Sequence, residues 1–208
     1  FQIGKKFGLF EESSFASIGP AIGSELRNRA LLAFVLVLLG ISLYVTFAFR
    51  KVSRPVSSWK YGIITLLTLF HDAVIPAGMF AVLSYFFNAE IDTNFIVAIL
   101  VVMGFSVHDT IVVFDRIREN LRLSFAGKLD SSGEGFNNLV NRSVNETMAR
   151  SINTSLTLVL TLLALFFLGP VAMKYFVLVI LVGTIFGTYS SIFVASPILT
   201  LWQGRKKF

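Results

Sequence analysis

This sequence has few charged residues and no cysteine. Only 14% of its 208 residues are charged, against about 25% in a typical soluble domain. It contains no cysteine, which excludes a disulfide framework, a thiol nucleophile and a thiolate-bound metal. It also has no glycine-rich phosphate loop, so nucleotide hydrolysis by this chain is not expected. Most of the chain is apolar: 55% of the residues are hydrophobic and the mean hydropathy is +0.76, which indicates a membrane protein.

Five apolar stretches are each long enough to cross a bilayer, for which a helix needs about 20 residues. They occupy residues 30–49, 61–87, 95–114, 146–168 and 174–202. We therefore predict an all-α membrane protein whose transmembrane helical domain covers residues 30–202. Residues 1–29 are polar and interrupted by glycine, and we interpret them as the end of an extracytoplasmic domain with its lead-in to the membrane. Because the sequence does not begin with methionine, we expect it to be the later part of a longer polypeptide.

Glycine and proline predict how these helices begin, bend and pack. Gly19-Pro20 predicts a helix start, because proline suits the first helical turn. Pro76 predicts a kink in the second span. Gly183 and Gly187, one helical turn apart in the fifth span, predict a face against which another helix packs closely.

Most basic residues lie in segments that would share one side of the membrane. These segments are residues 50–60, a polar loop at 115–145 and a tail at 203–208. Asp115 with Arg118, and Glu119 with Arg122, can pair on one helix surface, so we predict that residues 115–122 extend the third helix beyond the membrane. Because lysine and arginine concentrate on the cytoplasmic side, we predict a cytoplasmic C-terminus and an extracytoplasmic N-terminal domain. The same bases flank membrane spans and form no stripe with aromatic residues, which argues against nucleic-acid binding.

The stretch GFSVHDTIVVFDRIREN, residues 104–120, places an aspartate inside the third span. An ionisable side chain at membrane depth costs roughly 2.5–3.5 kcal/mol on insertion scales, so Asp109 is a candidate functional residue. Arg150 lies near the cytoplasmic end of the fourth span, and we expect it at a similar depth as the counter-charge of Asp109. We predict that Asp109, Arg150 and His108 are proton-relay residues, although His108 is also explained as a packing or hydrogen-bonding residue.

A second set of polar residues lies within the predicted spans. His71 and Asp72 stand one turn before the predicted kink, where freed backbone groups need partners, so structural and functional interpretations are both open. Ser106 and Thr110 flank the third-span aspartate and are candidates for hydrogen bonds to it or to the backbone. Thr154 belongs to a serine and threonine stripe typical of hydrogen bonding between membrane helices. Two histidines and scattered carboxylates do not make a zinc ligand set, so we expect no metal and no other cofactor.

Five motifs, taken in chain order, resemble the SecF branch of the bacterial SecD/SecF protein-export family. They are GPAIGSEL at residues 19–26, the His71-Asp72 pair, GFSVHDTIVVFDRIREN at residues 104–120, the segment at residues 141–155 and GTYSSIFVASP at residues 187–197. The resemblance covers nearly the whole chain. The sequence departs from the family at His108, where asparagine is usual, and a histidine there can titrate near neutral pH.

The resemblance implies a half-bundle of five transmembrane helices like that of the resistance-nodulation-division (RND) transporters, paired with a pseudo-symmetric partner, SecD. It implies a protein of the bacterial inner membrane that is not an enzyme and that assists preprotein translocation through the SecYEG channel. YajC and YidC would be further partners, and protons moving down the proton-motive force would be the coupling ion. Asp109 would then be the proton-responsive carboxylate at the SecD interface, and Arg150 would modulate it.

Two other functions stay open at the level of the sequence. Asp72 and Asp109, on adjacent antiparallel helices, would suit an intramembrane aspartyl protease, whose paired carboxylates share a proton. Such enzymes place glycine directly before the second aspartate, and His108 occupies that position here. In the other alternative the chain is a non-transporting assembly subunit, and Asp109 and Arg150 only hold a membrane complex together.

Overall fold

A computed structural model describes residues 20–50, 56–87, 92–125 and 135–203 of the chain. These residues are mostly α-helical, and no strand occurs among them. The α-helices are α1 Pro20–Ala48, α2 Ser58–Phe87, α3 Thr93–Phe125, α4 Phe136–Leu168, α5 Lys174–Ser190 and α6 Ser196–Gln203. Predictions for residues 1–19 and for the tail at 204–208 lie outside the described residues.

The described helices include five spans that are long and apolar enough to cross a membrane. The first four lie in α1 to α4, and the fifth is continuous from Val171 to Gln203. A short 3₁₀ turn, Val171–Met173, leads into α5, and a π-helical segment, Ser191–Ala195, joins α5 to α6. The chain is therefore a multi-pass membrane protein, and α1 begins at Pro20, as the sequence predicts.

The helical extension predicted for residues 115–122 is confirmed, whereas the fourth helix begins ten residues before its predicted span. Helix α3 continues to Phe125 and α4 begins at Phe136, so both helices extend beyond their apolar parts. Polar side chains join the two extensions: Arg116 Nε donates to Glu146 Oε2 at 2.6 Å. Asn120 Nδ2 donates to Ser143 Oγ at 2.9 Å and to Glu146 Oε2 at 2.8 Å. These cross-helix bonds stabilise helical structure that hydropathy alone does not predict.

Helix α3 lies in the middle of the bundle, where it packs against α2, α4 and α5. The third and fifth spans bury much of their length, whereas the apolar parts of α1 and α4 are mostly exposed. Broad apolar exposure is expected for the lipid-facing helices of a membrane protein. The central helices α3 and α5 therefore form the framework around which the other spans are arranged.

Helices α3 and α5 approach closely along the two glycines of α5, which confirms the predicted packing face. A Cβ atom added at Gly183 would lie 2.3 Å from Val102 Cγ2, and one added at Gly187 would lie 3.1 Å from Ser106 Cβ. Small residues allow the backbones of membrane helices to come together in this way. The contact of Gly187 with Ser106 lies less than one turn from Asp109 along α3.

Two prolines each leave one backbone carbonyl of a helix without its usual hydrogen-bond donor. Pro76 lies inside α2, which continues through it, and its missing N–H leaves the carbonyl of Asp72 without the usual helical donor. Pro197 similarly cannot donate to the carbonyl of Phe193, which lies in the π-helical segment. The π-helical segment was not predicted from the sequence, and the kink at Pro76 stays a prediction.

Candidate functional site

The carboxylate of Asp109 lies where three helices meet. Its Oδ2 atom accepts a hydrogen bond from Ser155 Oγ of α4 at 3.2 Å and one from Thr188 Oγ1 of α5 at 3.2 Å. The two hydroxyls lie 2.5 Å from each other. Asp109 itself is only 8% exposed. One carboxylate oxygen therefore links α3 to both of its neighbours through neutral hydroxyl groups.

His108 lies beside this carboxylate but points away from the bundle. Its Nδ1 atom is 3.7 Å from Asp109 Oδ1, and its side chain is 67% exposed. At that distance the two form an ion pair only when the imidazole is protonated. His108 therefore lies between the carboxylate of Asp109 and the exterior of the chain.

A cavity of about 120 Å³ opens beside Asp109. It is lined by Phe105, Ser106, His108, Asp109, Thr154, Ser155, Leu158, Thr184, Gly187 and Thr188. A water molecule takes up about 30 Å³ of liquid volume, so this space is large enough for a few water molecules. Three lining residues, Phe105, His108 and Thr154, are exposed, so the cavity reaches the surface of the chain.

Arg150 does not pair with Asp109 in the described part of the chain. It makes no hydrogen bond or ion pair with this carboxylate there, and it is exposed on α4. Helix geometry gives the reason, because residues advance by about 100° each and Arg150 precedes Ser155 by five positions. When Ser155 faces Asp109, Arg150 is turned about 140° away from it. The expectation that Arg150 is the counter-charge of Asp109 within this chain is therefore wrong, and its part in a proton relay stays a prediction.

A second carboxylate, Asp72 of α2, is completely buried. Its Oδ2 atom accepts a hydrogen bond from Ser190 Oγ of α5 at 2.5 Å and another from Ser106 Oγ of α3. Its Oδ1 atom lies 2.8 Å from His71 Nδ1. The His71-Asp72 pair thus occupies a second polar site, which adjoins the cavity beside Asp109 through Ser106.

Ser106 and Thr110 were predicted to bond either to Asp109 or to the backbone, and the backbone alternative is confirmed for Thr110. Ser106 donates to Asp72, and Thr110 Oγ1 donates to the backbone oxygen of Ser106 at 3.1 Å. Thr154 Oγ1 bonds to the backbone oxygens of Arg150 and Ser151 on its own helix, both at 3.0 Å, although it lines the cavity. These hydroxyls therefore bind a different carboxylate or their own helix.

Three of the residues whose hydroxyls bind the two carboxylates were not predicted as site residues: Ser155, Thr188 and Ser190. Ser155 continues a row with Thr147 and Ser151 at four-residue spacing, and that row faces inward rather than following the exposed threonines. Thr188 and Ser190 follow directly after the close-packing glycine Gly187. Both signals are visible in the sequence, once the four-residue spacing and the glycine contact are used to choose the buried face.

The two carboxylates are not paired with each other. Each accepts hydrogen bonds from a different set of side chains, and no hydrogen bond between Asp72 and Asp109 occurs in the described residues. An aspartyl protease requires two carboxylates that share a proton. Asp72 is also fully shielded, so a peptide bond cannot reach it. The geometry gives no support to the protease hypothesis, and the described residues contain no cluster of three or more metal-ligating side chains.

Comparison with known proteins gives one consistent result. Residues 2–205 match the family profile described as protein export membrane protein SecD/SecF, C-terminal. The protein translocase subunit SecF of Thermobaculum terrenum is 50% identical over 200 residues, which cover 96% of this chain and 60% of that protein. The protein translocase subunit SecDF of Thermus thermophilus is 44% identical over 192 residues, covering 92% of this chain and 23% of that protein.

The solved structures agree with these sequence matches. A crystal structure of SecDF from Thermus thermophilus, described as a translocon-associated membrane protein, superposes with a TM-score of 0.79 at 39% identity. The superposition covers 98% of this chain and 26% of the SecDF chain. The predicted all-α architecture with five membrane spans is confirmed by this match. The chain spans less than two thirds of the length of these relatives.

Proposed function

The chain belongs to the SecD/SecF family of protein-export membrane proteins, and on that premise we propose that it is the membrane part of a SecF-type export subunit. Together with SecD, this subunit would use the proton-motive force to assist preprotein translocation through SecYEG. It would act as a coupling subunit rather than as an enzyme, with protons as the coupling ion and no bound cofactor. YajC and YidC are proposed as further partners through the resemblance to the family.

The observation that carries the proposal is the environment of Asp109. This carboxylate sits within a membrane span, beside a cavity that reaches the surface, and its partners are hydroxyls rather than a fixed cation. Ionisable residues placed in this way mark proton pathways in membrane proteins. A hydroxyl-lined site leaves the carboxylate free to gain and lose a proton without breaking an ion pair to a guanidinium or ammonium group.

The outer face of α4 supports SecD as the partner. Arg150, Thr154, Thr157 and Thr161 are exposed along this membrane span in the single chain. A charged side chain facing lipid is costly, and such residues almost always face a protein interior or a water-filled space. A second membrane subunit that covers this face would shield Arg150 and close the surface around the Asp109 cavity. In the relative from Thermus thermophilus the SecD and SecF names are joined in a single chain, SecDF.

We propose the bacterial inner membrane as the location, with the C-terminus in the cytoplasm. The polar extensions of α3 and α4, which carry Arg116, Arg118, Arg122 and Arg142, would then lie on the cytoplasmic side. Basic residues next to membrane spans favour that side. In this orientation α3 crosses from the outside inward, and Asp109 lies about halfway along the helix.

The test is to replace Asp109 by asparagine in the full-length protein, co-reconstituted with SecD in proteoliposomes. We expect Asp109→Asn to lower proton flux by roughly 100-fold, the lower end of what a positioned proton-transfer group contributes. Stimulation of preprotein translocation by a proton gradient should be lost with it. Asp115→Asn is the matched control, because Asp115 is an exposed carboxylate on the same helix that pairs with Arg118.

Recovery of the SecD complex separates transport from assembly. If Asp109→Asn assembles normally and loses flux, the coupling role is supported. If the variant instead fails to assemble while residual complexes transport normally, the chain is an assembly subunit. Normal proton flux in a fully assembled Asp109→Asn complex would refute the proposed function.

A further inference from the structure

Asp72 is a buried carboxylate that the proposed proton site does not use. Its side chain is fully shielded, and an unpaired charge in such a place is strongly unfavourable. Three side chains compensate it: Ser106 from α3, Ser190 from α5 and the adjacent His71. Because the hydroxyls come from two other helices, a single carboxylate on α2 holds three helices together.

The two hydroxyls lie next to the residues that form the Asp109 site. Ser106 is three residues before Asp109 on α3, and Ser190 is two residues after Thr188 on α5. Between them lies the close contact of Gly187 with Ser106, where an added Cβ would come within 3.1 Å of Ser106 Cβ. Asp72 therefore bridges α3 and α5 at the level where Thr188 Oγ1 lies 3.2 Å from Asp109 Oδ2.

We propose that Asp72 is a positioning residue for Asp109. By binding Ser106 and Ser190 through one oxygen, its carboxylate fixes the distance and rotation between α3 and α5. That arrangement in turn sets the hydrogen bonds from Thr188 and Ser155 to Asp109. The inference rests on the proposed function, because it assigns Asp72 a part in shaping the proton site of that function.

The geometry favours positioning over direct proton transfer by Asp72. Asp72 is completely buried and does not itself line the cavity beside Asp109, which it adjoins through the hydroxyl of Ser106. Its one ionisable contact among the described residues is the adjacent His71. Its donors, Ser106 and Ser190, are distinct from Ser155 and Thr188, which bind Asp109, and the described residues contain no side-chain hydrogen bond that joins the two sets. Positioning requires only an oxygen atom that accepts two hydroxyl hydrogen bonds, whereas proton transfer requires a titratable group.

This difference defines the experiment, carried out on the full-length protein with SecD in proteoliposomes. Asp72→Asn keeps an acceptor oxygen but cannot titrate, whereas Asp72→Leu removes the acceptor. Ser190→Ala removes one donor while leaving the carboxylate. Its matched control is Ser191→Ala, because Ser191 is also buried and donates only to the backbone oxygen of Thr188 on its own helix. Proton flux is measured across a series of pH values, together with recovery of the complex.

Positioning by Asp72 predicts an ordered set of results. Asp72→Asn should keep proton flux within about threefold of the unmodified protein, and Ser191→Ala should match it. Asp72→Leu and Ser190→Ala should lower flux by about fivefold or more and shift the pH of half-maximal flux by roughly half a unit, since the hydrogen bonds to Asp109 change. A purely structural loss would reduce the amount of complex without moving that pH. Ser190→Ala removes only a single oxygen, so it still tests positioning by Asp72 if the Asp72→Leu complex does not assemble.

Two results would overturn the inference. Asp72→Asn as inactive as Asp109→Asn in an assembled complex would mean that Asp72 itself carries protons. Unchanged flux and an unchanged pH profile in both Ser190→Ala and Asp72→Leu would mean that the hydrogen bonds to Asp72 have no effect on the Asp109 site. The proposed function is judged separately, by Asp109→Asn alone, so its failure is distinguishable from a failure at Asp72.

Discussion

The contact between α3 and α5 makes a quantitative prediction at Gly183. An alanine Cβ at this position would lie 2.3 Å from Val102 Cγ2, 2.5 Å from Cγ1 and 3.0 Å from Cβ. Val102 is completely buried, and a β-branched side chain in a helix is held in essentially one rotamer, so it cannot turn away. The helices themselves must therefore move apart to accept the methyl group.

The expected cost follows from two opposing effects. Overpacking a well-packed core costs typically about 1–3 kcal/mol, and the rigid neighbour places Gly183→Ala in the upper part of that range. The better helix propensity of alanine offsets up to about 1 kcal/mol. We therefore expect Gly183→Ala to reduce the free energy of unfolding by roughly 1–2 kcal/mol.

Two further glycines give matched controls for the same substitution. At Gly104, on the exposed face of α3, an added Cβ meets nothing within 4 Å, so Gly104→Ala should be neutral or stabilising by up to about 1 kcal/mol. At Gly187 the nearest atom lies at 3.1 Å, and the effect should fall between the other two. The assay is equilibrium unfolding of the full-length protein with SecD in detergent micelles. Equal stability of the Gly183→Ala and Gly104→Ala proteins would refute the close contact.

Two further predictions concern polar contacts between helices. Ser155→Ala should lower proton flux by about threefold or more in the proteoliposome assay, because it removes a hydrogen bond to a charged group. Ser191→Ala, which removes a hydroxyl that donates only to a backbone oxygen and does not line the cavity, should have little effect, and equal effects of the two would contradict the Asp109 geometry. Asn120→Ala should destabilise the α3–α4 extensions by about 1–3 kcal/mol, since a buried hydroxyl and a carboxylate lose their shared donor. Faster amide hydrogen exchange in these extensions is the readout, with the exposed Asn141→Ala as control, and unchanged exchange would count against the contact.

The sequence predicts the membrane spans and the glycine face well because both depend on local information. Hydropathy over about 20 residues identifies a span, and two glycines one turn apart identify a packing surface before its partner is known. The extension of α3 follows from charged residues three positions apart, which is also local information. The early start of α4 was harder to predict, since the residues before its apolar part are held by bonds such as Asn120 to Ser143 between distant parts of the chain.

The partners of Asp109 show where such reasoning fails. Arg150 was chosen because its depth in the membrane matched that of Asp109, but depth fixes only the position along a helix axis. Which residue faces a neighbour depends on rotation, at about 100° per residue, and Ser155 has the rotation that Arg150 lacks. The π-helical segment, Ser191–Ala195, also changes the direction in which the side chains after α5 face, and no periodicity in the sequence predicts this change.

The two membrane aspartates differ in access rather than in the chemistry of their partners. Both are held by hydroxyl groups and both adjoin a histidine, so hydrogen bonding alone does not separate their roles. Asp72 is sealed inside the chain, whereas Asp109 borders a cavity whose rim includes the exposed residues His108 and Thr154. A carboxylate exchanges protons only if water or a titratable group can reach it. Asp109 can meet water in the cavity directly, whereas the ionisable contact of Asp72 is His71, whose side chain is 39% exposed. This difference in access to water supports the proposal that Asp109 transfers protons and that Asp72 positions it. A partner subunit on the outer face of α4 would cover the opening of this cavity.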